Sequence, residues 1–179
     1  MNNLLDALLR YATIGKTDEE FEEVHLQDAV ELALINLRVR IEETYANIII
    51  QELPTVRSIQ SLLIQLFQNF VSNALKFRKP EVDAIVKIYA YEEEEEIIVC
   101  VEDNGIGIAP EYQERIFVIF QRLHSRAHYE GTGIGLSICL KIVQRLGGRI
   151  WIESAFGQGA KFLVALPKVP GQKESSTEP

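Results

Sequence analysis

Three stretches carry residue types whose spacing could do chemistry. The first is "QLFQNFVSNALKFRK", in which Gln65, Asn69, Asn73 and Lys76 follow one another at steps of four, four and three. That spacing lays them along one helical face, opposite Leu66, Phe70 and Ala74. Carboxamide oxygens suit a hard cation such as Mg²⁺, which keeps waters and phosphate oxygens as its other ligands. A lysine nearby suits a phosphate as a point charge. The second stretch is "DNGIGIAP" (103–110), which follows an apolar run and so puts Asp103 at the end of a strand. A carboxylate there can accept a hydrogen bond from an exocyclic amine such as that of adenine. Gly105 and Gly107 would let backbone approach a flat base closely. The third is "EGTGIGLSICLKIV" (130–143), where glycines open a helical pattern. Backbone N–H groups at the start of that helix, after Gly133, would face phosphates, favoured by the helix dipole.

Each stretch alone has a plainer reading. "DNG" makes tight turns, lone helical asparagines usually sit on the surface, and a GxGxG run can be a helix entrance that needs small residues for packing. The glycines also fit neither common phosphate loop. "GTGIGLS" lacks the lysine of a P-loop, and its spacing is not the GxGxxG of a dinucleotide fold, which follows a strand directly. The three stretches together carry the argument.

The elements that must position them come from the hydrophobic pattern. Residues 2–14 place Leu4, Leu5, Leu8, Leu9 and Ala12 on one stripe, too short to fold alone and in want of a partner helix. "EVHL" (23–26) reads as a short edge strand. Gln27 to Thr44 reads as a helix that buries Ala29, Val30, Ala33, Leu34, Leu37 and Ile41. "NIIIQEL" (47–53) reads as a strand ended by Pro54. Ser58 is the expected cap of the long helix that carries the asparagines. "AIVKIYAY" (84–91) and "EIIVCVED" (96–103) form a hairpin around the glutamate run 92–96, a solvated tip. "PEYQERIF" reads as a short helix opened by Pro110, 121–133 as a mobile loop, and Ile134 to Leu146 as a helix closed by Gly147 and Gly148. "RIWIES" (149–154) and "AKFLVALP" (160–167) make a last hairpin. The order predicts an α+β two-layer sandwich: a mixed, mainly antiparallel sheet of about five strands with helices on one face.

Composition narrows the function. The 179 residues fit one domain, or one domain plus an appendage; they are 47% hydrophobic and carry a net charge of −8. An acidic surface argues against general nucleic-acid binding. Cys100 and Cys139 lie in apolar runs without a CxxC pair, so they read as buried, reduced thiols rather than metal ligands. No apolar run is long enough to span a bilayer, and a cytoplasmic location is expected.

Taken in order, these residues resemble the boxes of the GHKL ATPase superfamily, and most of all the catalytic, ATP-binding domain of sensor histidine kinases. "NFVSNALKF" is similar to the asparagine box, "DNGIGI" to the first glycine box, "IFVIF" to the phenylalanine box, "GTGIGLSI" to the second glycine box, and "GQGAKF" to a degenerate last one. The wording around "FQRLHSRAHYEGTGIGLSI" is similar to kinases of the phytochrome type. The resemblance covers about residues 20–167 and implies the Bergerat fold.

It also implies roles. Asp103 would bind the adenine amine, with Gly105, Gly107, Gly131, Thr132, Gly133, Gly135 and Leu136 shaping the ATP pocket and its lid. Phe117 and Phe120 would anchor the lid. Asn73 would hold Mg²⁺ with Asn69 beside it, Lys76 would meet phosphate, and Arg122 would reach the γ-phosphate. ATP-hydrolysing relatives carry a glutamate at the position of Asn69; an amide is a poor base, which fits transfer to a side chain rather than to water. The acceptor would be a histidine on a helical hairpin domain. Residues 1–15 resemble the end of that hairpin's second helix, 20–168 the catalytic domain, and 169–179 a disordered tail. His25, His124 and His128 lie outside any acceptor context, so this chain is not expected to phosphorylate itself. A parent homodimer and a cognate response regulator are the implied partners. Ala160 stands where the family commonly has Ser or Thr, which removes a hydroxyl contact. The rival readings are a GHKL hydrolase, a serine-kinase regulator of the anti-sigma type, and a nucleotide-binding scaffold.

Overall fold

The computed structural model describes residues 2–14, 19–119 and 133–169. Its helices are α1 (Asn2–Thr13), α2 (Leu26–Asn36), α3 (Arg38–Thr44), α4 (Gln60–Lys76) and α5 (Gly135–Arg145). Its strands are β1 (Glu22–His25), β2 (Asn47–Ile50), β3 (Thr55–Ser58), β4 (Ile85–Glu92), β5 (Glu96–Asp103), β6 (Arg149–Ser154) and β7 (Ala160–Pro167). Two 3₁₀ turns, Pro110–Tyr112 and Arg115–Phe117, lie between β5 and α5.

Five strands form one sheet in the order β2-β4-β5-β7-β6, in which β2 runs parallel to β4 and the other pairs are antiparallel. The helices pack on one face, as the element order predicts. Alternation along the strands sends Val86, Ile88, Ile97, Val99, Val101, Phe162, Val164 and Leu166 into a shared core with α2, α4 and α5. α4 lies at its centre, with Leu63, Phe67, Phe70 and Val71 at 2% exposure or less. Phe70 stacks on Phe162 with ring centroids 5.1 Å apart.

The opposite sheet face seals itself. Cross-strand neighbours Tyr89, Cys100, Leu163 and Trp151 form an apolar row. Beside it runs a charged row, Lys87, Glu102, Lys161 and Glu153, with Lys161 bonded to Glu153 at 2.9 Å. Burial pushes the Cys100 and Cys139 thiols up, against a smaller opposite pull of Lys161 and Tyr89 on Cys100, and both are free, buried cysteines.

The structure departs from the sequence expectations in four places. β3 was not anticipated: residues 55–58 pair antiparallel with β1. Ser58 therefore ends a strand instead of capping α4. The N-cap is Ile59, without a side-chain hydrogen bond, and Ser58 Oγ is buried without a partner among the described residues. A four-residue strand directly after Pro54 is too short for periodicity to reveal. Second, the helix expected over 27–44 breaks at Leu37, whose φ of −104° and ψ of 4° are not helical. Third, β2 stops at Ile50, although Gln51 still donates to the Ile88 carbonyl of β4 at 2.9 Å. Fourth, the helix expected after Pro110 is two separate 3₁₀ turns.

α1 finds its partner far along the chain. Ala7, Leu8 and Tyr11 pack on the core, while Leu5 and Leu9 stay exposed. Lys141 of α5 donates to the Tyr11 carbonyl at 2.5 Å and lies 4.3 Å from the Tyr11 ring centroid. An ammonium at the C-terminal carbonyls of a helix also complements its dipole.

Candidate active site

Asp103 ends β5 on the core-facing side, in line with Ile97, Val99 and Val101. Its Oδ1 accepts two backbone hydrogen bonds, from the Gly105 N–H at 2.8 Å and the Ala160 N–H at 3.3 Å. Those two bonds occupy one oxygen and fix the plane of the carboxylate. Among the described residues nothing donates to Oδ2. Burial raises the Asp103 pKa from 3.8 to about 6, with a small push the same way from Glu102; the two N–H groups pull it down. Such a carboxylate is poised to gain from a new donor.

The glycine loop that follows is held at every step. The Asn104 side chain accepts from the Ile85 N–H at 2.9 Å and donates to the Asp83 carbonyl at 2.9 Å, which ties the loop to the start of β4. The Ile106 N–H donates to the Phe77 carbonyl at 3.0 Å, and the Gly157 N–H to the Ile106 carbonyl at 2.7 Å. Gly105 and Gly107 are buried. A side chain on Gly105 would put Cβ 2.5 Å from the Phe77 carbonyl, and one on Gly107 would put it 2.1 Å from the Ala155 carbonyl. Gly107 also has a φ of +69°. No other residue type fits either place.

The Phe77 carbonyl belongs to the end of α4, so the glycine loop is bonded to the helix that carries the asparagine row. Asn69, Asn73 and Lys76 are half-buried along that helix, and Lys76 Nζ lies 4.6 Å from the Phe77 ring centroid. At the other end of the row, Asn69 Oδ1 faces the entrance of α5, 3.4 Å from where a Cβ on Gly135 would lie. Gly133 has a φ of +73° and Ile134 is fully buried, so the chain turns sharply into α5. Among the described residues no side chain caps that helix start, so its first N–H groups have no side-chain acceptor there. Leu136 and Phe117 pack against the core, and the 3₁₀ turn containing Phe117 lies on α5.

Backbone bonds thus join the Asp103–Gly107 loop to the end of α4, and α4 carries Lys76, Asn73 and Asn69 back toward the entrance of α5 at Gly133 and Gly135, while Leu136 and Phe117 pack on the core. Phe120, Arg122, Gly131 and Thr132, like His124 and His128, lie outside the described residues. Sequence reasoning missed Asn104, Gln113 and Ser154, whose side chains brace the glycine loop. Ser154 had a legible signal: it is the polar residue on the apolar parity of β6, after Ile150 and Ile152. Asp103 breaks the parity of β5 in the same way.

The model of the histidine kinase-, DNA gyrase B- and HSP90-like ATPase family matches residues 58–170. The chain belongs to that family. Within it, this ATPase domain is similar to cyanobacterial phytochrome A of Nostoc sp. strain PCC 7120, at 48% identity over 93% of this chain. It is also similar to the phytochrome-like protein Cph1 of Synechocystis sp. strain PCC 6803, at 43% identity. The chain spans 22% of the length of either relative. Among solved structures, the catalytic domain of histidine kinase ThkA matches with a TM-score of 0.73 and 27% identity, over 86% of this chain and 99% of that one. Full-length ShkA in complex with AMPPNP matches with a TM-score of 0.79 and 25% identity, over 94% of this chain and 36% of that one. The domain is a catalytic, ATP-binding domain of the sensor histidine kinase type, and ATP is its nucleotide. No described helix is long and apolar enough to cross a membrane.

Proposed function

We propose that the domain holds ATP with its base on Asp103 and its phosphates at the entrance of α5, and passes the γ-phosphoryl group to a histidine on a helical hairpin domain supplied in trans. The observation that carries this reading is the Asp103 carboxylate, with one oxygen held by two N–H groups and the other without a donor among the described residues. Adenine offers that donor in its exocyclic amine; guanine presents an acceptor at the same position and would be repelled.

The chain's own residues then act by position. Gly105 and Gly107 bring backbone against the base plane. The α5 N-terminus offers N–H groups and a positive dipole end to the phosphates. Lys76 adds a point charge near them. The donor set fits Mg²⁺: Asn69 Oδ1 opens toward the α5 entrance and Asn73 follows one turn later on the same face. Bound there, the ion would neutralise charge on the phosphate oxygens. Asn69 cannot take a proton from water, so the residue types favour a nucleophile that brings its own basicity, as imidazole does. Residues 1–15 fit the end of the hairpin's second helix: α1 docks by one side and leaves Leu5 and Leu9 for a partner. A dimeric parent with a response regulator downstream completes the reading.

The test mixes this chain with a separately made hairpin domain and ATP labelled at the γ position. The expected product is an acid-labile, alkali-stable phosphohistidine on the hairpin, with little free phosphate. Steady release of phosphate without any acceptor would instead favour a hydrolase, and intact ATP binding without transfer a scaffold.

A further inference from the structure

One peptide unit beside Asp103 is gripped at both ends. The Gly159–Ala160 peptide gives its N–H to Asp103 Oδ1 at 3.3 Å, and its carbonyl accepts the Ser154 hydroxyl at 2.6 Å. The peptide is planar and stiff, so the direction of its carbonyl fixes the direction of its N–H. Gly159 has a φ of +87°, and a Cβ there would lie 2.0 Å from the Asp103 carbonyl, which keeps the peptide pressed against the end of β5.

Ser154 is itself held from the other side. Its Oγ accepts the Ile108 N–H at 2.8 Å. The Gln113 Nε2 donates to the Ile108 carbonyl at 3.2 Å and to the Ser154 carbonyl at 2.7 Å. Gln113 sits between the two 3₁₀ turns and is thus on the segment that leads from the glycine loop toward the second glycine stretch. The chain of bonds runs Gln113, Ser154, the Gly159–Ala160 peptide, Asp103.

We propose that Ser154 and Gln113 are positioning residues for the base: they set the peptide that orients the Asp103 carboxylate, and they tie that orientation to the turns preceding the second glycine stretch. The proposal rests on Asp103 binding the nucleotide base. The backbone N–H of Ala160 does the orienting, and the hydroxyl that steers it comes from Ser154.

The groups acting on Asp103 are the N–H groups of Gly105 and Ala160, which favour its charged form, and Glu102 on the same strand, which opposes it. Weakening the Ala160 bond therefore moves the titration of Asp103 upward. The experiment measures ADP affinity by calorimetry as a function of pH for wild type, Ser154→Ala, Ser154→Thr and Gln113→Ala. Ser154→Ala is expected to lose about tenfold in affinity, as for a buried hydrogen bond removed, and to move the pH midpoint of binding upward. Ser154→Thr keeps the hydroxyl and restores both. Gln113→Ala, which leaves the hydroxyl bonds in place, loses about threefold and serves if Ser154→Ala does not fold. Wild-type affinity and midpoint in both alanine variants would overturn the proposal. So would a loss of affinity that Thr does not restore with the midpoint unmoved, because that marks a role in folding alone. A wild-type chain that binds no ADP is a separate result and overturns the base-binding reading of Asp103 instead.

Discussion

The two glycine stretches do different work, and the difference lies in what holds them. The first, from Asp103 to Pro110, is bonded to β4, to the end of α4, to the β6–β7 turn and to Ser154. Its glycines exist because carbonyl oxygens occupy the space a side chain would need. The second turns at Gly133, on one positive φ, into a helix whose start has no side-chain cap among the described residues. Among the described residues a Cβ on Gly135 would meet only the far end of Asn69, at 3.4 Å. In the function proposed above, the base side of the site would be built by the fold, and the phosphate side would leave N–H groups and Asn69 for the ligand and its cation to complete.

The comparison breaks most visibly through glycine substitution. Gly107→Ala would set a Cβ 2.1 Å from the Ala155 carbonyl at a φ of +69°. The expected cost is about 3 kcal/mol or more, since backbone must move; a denaturation curve measures it. A wild-type midpoint would show that the first loop is far softer than its hydrogen bonds suggest.

Asp103→Asn should separate stability from binding. Asn keeps the oxygen that accepts from Gly105 and Ala160 but loses the buried charge. A carboxyl whose pKa rises from 3.8 to about 6 on folding binds more protons in the native state across that interval. The wild type is thus stabilised on this account below the lower value and loses that stability as pH rises through the upper one. Asp103→Asn is therefore expected to be more stable than wild type at about pH 8, by up to about 3 kcal/mol, with the gap closing below about pH 4. ADP affinity should fall about thirtyfold, as for a charge-assisted bond removed. Urea titrations at several pH values and calorimetry check the two halves separately.

Gly135→Ala is the smallest change and the mirror of the first. Alanine suits a helix better than glycine, so melting should hold or rise slightly. The new methyl would rest in ordinary contact with Asn69 Oδ1 and take space beside the oxygen offered to the cation, so ATP affinity should drop by about 1 kcal/mol, about fivefold. Gly107 would then be required for the fold and Gly135 for the ligand.

Much of this was legible in the sequence because it obeys period. The short apolar runs within 96–103 and 160–167 located β5 and β7 to the residue, and the four-residue steps from Gln65 to Asn73 located the polar row. Asp103 was legible as a carboxylate at a strand end next to glycines. What escaped was long-range. β3 exists only because β1 pairs with it across 30 residues, from His25 to Thr55. The partner of α1 is Lys141, 130 residues from Tyr11. The Ser154 relay joins three segments that no local pattern connects. Side-chain bonds to distant backbone leave only a polar residue on an apolar parity as their trace.

The central claim is that Asp103 binds the base as a carboxylate held by two N–H groups. The most direct measurement is the titration of the Asp103 side-chain carboxyl carbon by NMR, in the free domain and saturated with ADP. In the free domain the midpoint is expected at about 6. With ADP bound, the amine donating to Oδ2 favours the ionised form, and the midpoint should fall clearly below that value. A midpoint that ADP leaves unmoved, or raises, would contradict the account.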